Sequence, residues 1–142
     1  MLAPRHTILW SALGFTCLAV HGCTPIDGGA VEVSWDLRTF AGEDIPCDDA
    51  NVLEMRLYWR VSGDVTRQRS DEFSCDDERG VTGFDLPAGT ASLWLVPVCD
   101  DDAEPTEGTY RAPAPIVRTI TEGDVITLDT QLVELDEEAA CQ

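Results

Sequence analysis

The sequence predicts an all-β protein, an antiparallel β-sandwich of about seven short strands. Two segments, 31–37 and 53–61, alternate apolar and polar residues with a period of two, the mark of a half-buried strand. Turn signals built from Gly, Pro, Asp and Ser recur at short intervals between the apolar stretches. Downstream of residue 22 no stretch sustains a 3.6-residue apolar period, which leaves helices without a signal.

The chain opens on something else. Arg5 and His6 form a short basic start, and Thr7 to Val20 is an apolar run broken only by small or hydroxyl residues. Such a run falls short of the roughly 20 residues a membrane-crossing helix needs, so residues 1–22 read as an export signal. It ends in Leu18-Ala19-Val20-His21-Gly22-Cys23. This resembles the lipobox of bacterial lipoproteins, with an aliphatic residue three before the cysteine and Gly just ahead of it; His21 departs from the small residue usual there. The resemblance implies cleavage before Cys23, acylation of its sulfur and new amino group, and residence in the envelope. Two or three acyl chains anchor stably where one does not. Thr24 is not the Asp that in that family signals inner-membrane retention, so the expectation is the outer membrane.

After Cys23, residues 23–29 read as a lipidated tether, its Thr24–Gly29 stretch (TPIDGG) short and polar, and 30–142 as the sandwich domain. Val31, Val33, Trp35 and Leu37 share one face of the first strand. Residues 41–51 are a polar loop carrying Cys47. Leu53, Met55, Leu57, Trp59 and Val61 then alternate with Glu54, Arg56, Tyr58 and Arg60. A weaker strand is expected over Val65 to Arg69, and a short extended piece at Phe73 and Cys75. Val81 to Leu86 forms the next strand, Leu86 to Thr90 a turn. Ala91 to Val98 is nearly all apolar, as a central strand would be, with Pro97 confined to an end or edge because it has no N–H for the ladder. An acidic loop spans 100–109. Ile116 to Ile120 and Val125 to Leu135 close the chain as strands, with Thr121-Glu122-Gly123-Asp124 reading as a tight hairpin turn.

Three of these stretches resemble the transthyretin-like class of carboxypeptidase regulatory-like domains: Gly29 to Val33 opening the domain, Leu86-Pro87-Ala88-Gly89-Thr90 before a strand, and Glu122-Gly123-Asp124 before the last one. Ala91 stands where that class has an aromatic. The resemblance implies a non-catalytic domain that assists folding, adhesion or ligand contact. An immunoglobulin-like sandwich is the competing topology.

Charge and composition exclude several chemistries. The 142 residues carry 27 Asp and Glu against nine arginines and no lysine, for a net charge of −18. Nucleic acid demands a basic surface and is excluded as a partner. Both histidines, His6 and His21, fall in the export signal. What remains cannot run Ser-His-Asp, Cys-His or Schiff-base lysine chemistry, so no enzyme is expected. A hydrolase working through paired Asp and Glu is a distant alternative.

With Cys23 set aside, Cys47, Cys75, Cys99 and Cys141 form an even set in an exported chain, which favours two disulfides. Three connectivities exist; the sequential one, Cys47–Cys75 and Cys99–Cys141, is expected. The triplet Cys-Asp-Asp recurs at 47–49, 75–77 and 99–101. A Cys47–Cys75 bridge would draw Asp48, Asp49, Asp76 and Asp77 together, a candidate Ca²⁺ site, since Ca²⁺ takes six to eight oxygens. Solvated acidic loops are the plainer reading. Trp35 and Trp59 share faces with Val, Leu and Met and belong to the core. Trp94 falls in line with Ser92 and Val96, and Tyr58 with Glu54, Arg56 and Arg60; these two are candidates for a surface that stacks on a sugar or a protein. The sequence therefore points to a lipid-anchored envelope lipoprotein acting as a binding or structural module, its partners the membrane and an envelope protein or glycan, with a carbohydrate-binding module as the alternative.

Overall fold

Val31, Val33, Trp35 and Leu37 turn inward from the first strand, β1 (Ala30–Thr39), and none is more than 7% exposed. Met55, Leu57 and Trp59 do the same from β2 (Val52–Val61). The alternation thus builds the two facing halves of one core. These positions come from a computed structural model, which describes residues 26–63, 68–136, 138, 140 and 141. The export signal, Cys23 and the start of the strand expected at Val65 lie outside the described residues.

The remaining strands are β3 (Arg69–Ser74), β4 (Arg79–Val81), β5 (Gly89–Cys99), β6 (Tyr110–Arg111), β7 (Ile116–Ile120), β8 (Val125–Thr127) and β9 (Gln131–Leu135). They form two sheets, as a sandwich requires. One runs β3-β2-β5-β7 and is antiparallel throughout. The other runs β4-β1-β9-β6, with β8 also on β1. In this second sheet β1 pairs antiparallel with β4 but parallel with both β8 and β9.

The parallel pairing has a local cause. Val125 to Leu135 runs alongside β1 in two pieces, joined where the Leu128 N–H donates to the Glu32 carbonyl and the Leu128 side chain is buried. The turn at Thr121–Asp124 therefore carries the chain from one sheet to the other and is not a hairpin, because β7 pairs with β5 while β8 pairs with β1. Several strand limits also shift. β3 begins at Arg69, and Cys75 leaves it for one turn of 3-10 helix, Cys75–Asp77. β4 ends at Val81, since the Val31 N–H is taken by the Thr82 hydroxyl, 3.0 Å away, and Leu86 makes only a single bridge to Gly29.

Two further expectations are changed by the structure. Leu53 is 55% exposed and Val52 is buried instead, because the register against β5 slips between Val52 and Glu54 and turns the face over. The glycine pair of the expected tether belongs to the fold. Gly29 exchanges backbone hydrogen bonds with Leu86, and Gly28 accepts one from Gly123. A Cβ on Gly28 would meet the Leu86 carbonyl oxygen at 2.4 Å, and one on Gly29 the Thr121 oxygen at 2.5 Å. Only glycine admits backbones this close.

Pro97 is buried inside β5, yet its surroundings match the edge requirement. β7 covers only Gly89 to Leu93, so among the described residues β5 has a strand partner on the β2 side alone from Trp94 onward. Both expected disulfides are present, Cys47–Cys75 and Cys99–Cys141.

Candidate functional site

The strands give the sandwich two ends. Gly29, Val61, Leu86, Gly89 and Ile120 gather at the end where the chain enters. Val52, Cys99 and both disulfides gather at the other. All three Cys-Asp-Asp triplets lie at this second end. There Asp48, Asp49, Asp76 and Asp77 are exposed to solvent. Among the described residues no group of three or more His, Cys, Asp or Glu is arranged to hold a metal ion. The Cys47–Cys75 bridge joins the two loops that carry these four carboxylates.

The aromatic pair is better built. Tyr58 on β2 and Trp94 on β5 are direct cross-strand partners on the outward face of the antiparallel sheet. Their rings stack with centroids 5.5 Å apart and planes 19° apart, and the Arg60 guanidinium lies 5.9 Å from the Trp94 ring. Tyr58 does not stand free. Its hydroxyl donates to Glu104, which also meets Arg56 at 3.2 Å. Arg56 in turn holds Glu72 at 2.7 Å and Asp102 at 3.5 Å. One guanidinium thus ties the acidic 100–107 loop down across the sheet. Its contacts with Tyr58, Glu72 and Glu104 raise the Arg56 pKa against an opposing desolvation. Burial and the Glu104 carboxylate push the Tyr58 phenol up, so it stays protonated and a donor.

Beside this pair runs a cleft of about 370 Å³ between the open flank of β5, at Trp94 to Val96, and the segment 107–115. Tyr110 lines it together with Pro113 and Pro115. Burial, with Glu104 and Glu107 nearby, raises the Tyr110 phenol as well. The cleft therefore offers aromatic and proline surfaces beside the charged Glu107 and Arg111, and it can hold a small ligand or an extended segment. A larger hollow of about 460 Å³ lies at the disulfide end, lined by Trp35, Arg38, Asp44 and Cys47 among others. Its lining mixes apolar side chains with an ion pair, Arg38 to Asp44 at 2.9 Å.

Trp35 and Trp59 are core residues, 2% and 3% exposed. The Trp59 indole N–H donates to Asp71 at 3.1 Å. Burial raises the Asp71 carboxyl above its ordinary value, the Trp59 bond opposing and Asp85 assisting. A carboxyl whose folded pKa is raised disfavours folding once ionised, so the loss applies at neutral pH and fades as the folded group protonates in acid. Asp71→Asn keeps an oxygen acceptor for Trp59 without the charge. It is expected to raise the melting temperature at pH 7, with the difference closing in acid, as thermal melts across pH would record.

Sequence reasoning singled out Tyr58 and Trp94 but not Arg56, Glu104 or Tyr110, nor the Ala112–Pro115 wall. Glu104 sits in a stretch that reads only as an acidic loop and Tyr110 just past its end, and nothing local signals where the chain folds back. Comparison with protein-family models, with curated proteins and with solved structures gives no match to this chain.

Proposed function

We propose that this protein is a lipoprotein of the bacterial outer membrane, anchored through Cys23, whose sandwich is a non-catalytic binding module. The observation that carries the binding role is the Tyr58–Trp94 stack opening on the 370 Å³ cleft. The Arg56–Glu104 brace supports it, because a ring held in place loses little entropy when a partner docks. The Leu86–Thr90 stretch, whose last two residues open β5, supports the reading as a transthyretin-like accessory domain. An envelope protein or a glycan is the partner class. The glycan reading rests on the stacked rings: the C–H face of a sugar packs on an aromatic ring while Arg60, Glu104 and the tyrosine hydroxyls reach its hydroxyls.

The test has two arms. Cys23→Ser should move the protein from membranes to the soluble fraction and abolish acyl labelling; unchanged fractionation would sink the anchor. The full-length acylated protein should select a glycan or an envelope protein from a screen, and Trp94→Ala should cut that affinity about 5- to 150-fold, taking the roughly 1–3 kcal/mol that a flat group gains by stacking on an aromatic ring. Binding indifferent to Trp94 would move the contact surface elsewhere.

A further inference from the structure

We propose that the end of the sandwich where the chain enters seats on the bilayer surface, through an apolar rim of Ile26, Val81, Phe84 and Val125. The inference rests on the Cys23 anchor and adds an orientation to it. These four side chains are 49%, 51%, 40% and 49% exposed, large apolar groups left in water. Their placement is not scattered. Val125 on β8 pairs with Ala30, the first residue of β1, and Val81 on β4 pairs with Glu32 from the opposite flank. Phe84 lies in the loop between Thr82 and Leu86, both bonded to the start of β1 at Val31 and Gly29. Ile26 stands two residues before the first glycine of the clamp.

The length of chain ahead of this rim decides what covers it. Gly28 is locked to Gly123, so only the four residues Thr24 to Asp27 separate Cys23 from that bond in the sequence. From Cys23 to Gly28 is five residues, a reach of at most about 18 Å fully extended. An acylated Cys23 must lie at the membrane interface, so a surface within that reach of it faces the bilayer. Exposed apolar side chains there can enter the headgroup region, as interfacial anchors do. Charge does not set this orientation: Asp27, Asp85, Glu122 and Asp124 are exposed beside the rim, as Arg69 and Arg118 are toward the same end, while the Cys-Asp-Asp triplets stand at the far end.

Photo-crosslinking in living cells tests this with the full chain. The photoreactive residue p-benzoylphenylalanine replaces Phe84, Val125, Asp49 or Asp101, one at a time, and the N-terminal peptide of the same sample is weighed for acylation. Lipid adducts at Phe84 and Val125, with none at Asp49 or Asp101, are expected. Acylated protein with no lipid adduct at Phe84 and Val125, or with equal labelling at both ends, overturns the orientation and leaves the anchor standing. Capture of a protein at Phe84 and Val125 instead of lipid overturns the bilayer as the occupant. An unacylated Cys23 overturns the anchor and the orientation with it.

Discussion

Replacing all four disulfide cysteines by alanine is expected to leave the domain largely unfolded at physiological temperature. The Cys47–Cys75 bridge closes a loop of 28 residues and Cys99–Cys141 one of 42. In the chain-entropy model these contribute about 3.6 and about 4 kcal/mol. A folded unit of this size has a total stability of roughly 6–17 kcal/mol, so losing both removes a large part of it. The bridges hold different things. Cys47–Cys75 ties the polar loop before β2 to the turn after β3, and without it the loop over Trp35 is free. Cys99–Cys141 fastens the chain after β9 to the end of β5, while β9 itself stays paired with β1 and β6. Each double alanine variant alone should therefore remain folded, with its urea midpoint lowered in proportion to about 4 kcal/mol. A fourfold variant as stable as either double variant would show that the two loops do not restrain the unfolded chain independently.

The parts of this fold that were legible in the sequence are those where a side chain's neighbours in sequence settle its environment. Val31, Val33, Trp35 and Leu37 alternate because one face of β1 is buried, and the pattern is written within seven residues. The even set of cysteines and their sequential pairing were legible for a similar reason, since strands close in sequence bring successive loops to one end. Leu53 misled because a single slip of register inverts the face, and no residue at Val52–Glu54 announces the slip. Thr121–Asp124 has the composition of a hairpin turn, but which sheet the next strand joins depends on β1, some 90 residues earlier. The glycine pair reads as flexible when seen alone; its role appears only when Leu86 and Thr121 are brought against it. The candidate site divides along the same line. Tyr58 and Trp94 could be found from the alternation that sets them in line with Glu54, Arg56 and Arg60 and with Ser92, whereas Arg56 gathers carboxylates that lie 16 and 48 residues away in the chain.

Trp35→Ala is expected to lower stability by about 3–5 kcal/mol, the usual effect of deleting a buried indole. The residue closes one corner of the sandwich. Its ring stacks against Phe73 of β3 with centroids 6.2 Å apart, joining the two sheets, and its indole N–H donates to the Cys75 carbonyl at 3.0 Å. Its backbone N–H donates to the Glu78 carbonyl, which fixes where β4 starts beside β1. Packing and hydrogen bond can be separated. Trp35→Phe keeps much of the apolar contact but leaves the Cys75 carbonyl without its indole donor, an expected loss of about 1–3 kcal/mol. Phe73 provides the second side of the argument. It lies over Gly80, where a Cβ would stand 2.2 Å from the ring, so Gly80→Ala must push Phe73 off the corner. If Phe73 and Trp35 act as one packed unit, Gly80→Ala should cost much less in the Trp35→Ala background, where the cavity can absorb the displaced ring. Urea unfolding of the two single variants and the double variant measures that coupling. Additive losses would mean that Trp35 and Phe73 pack into the corner independently, and the stacking across the two sheets would lose its claim to hold it closed.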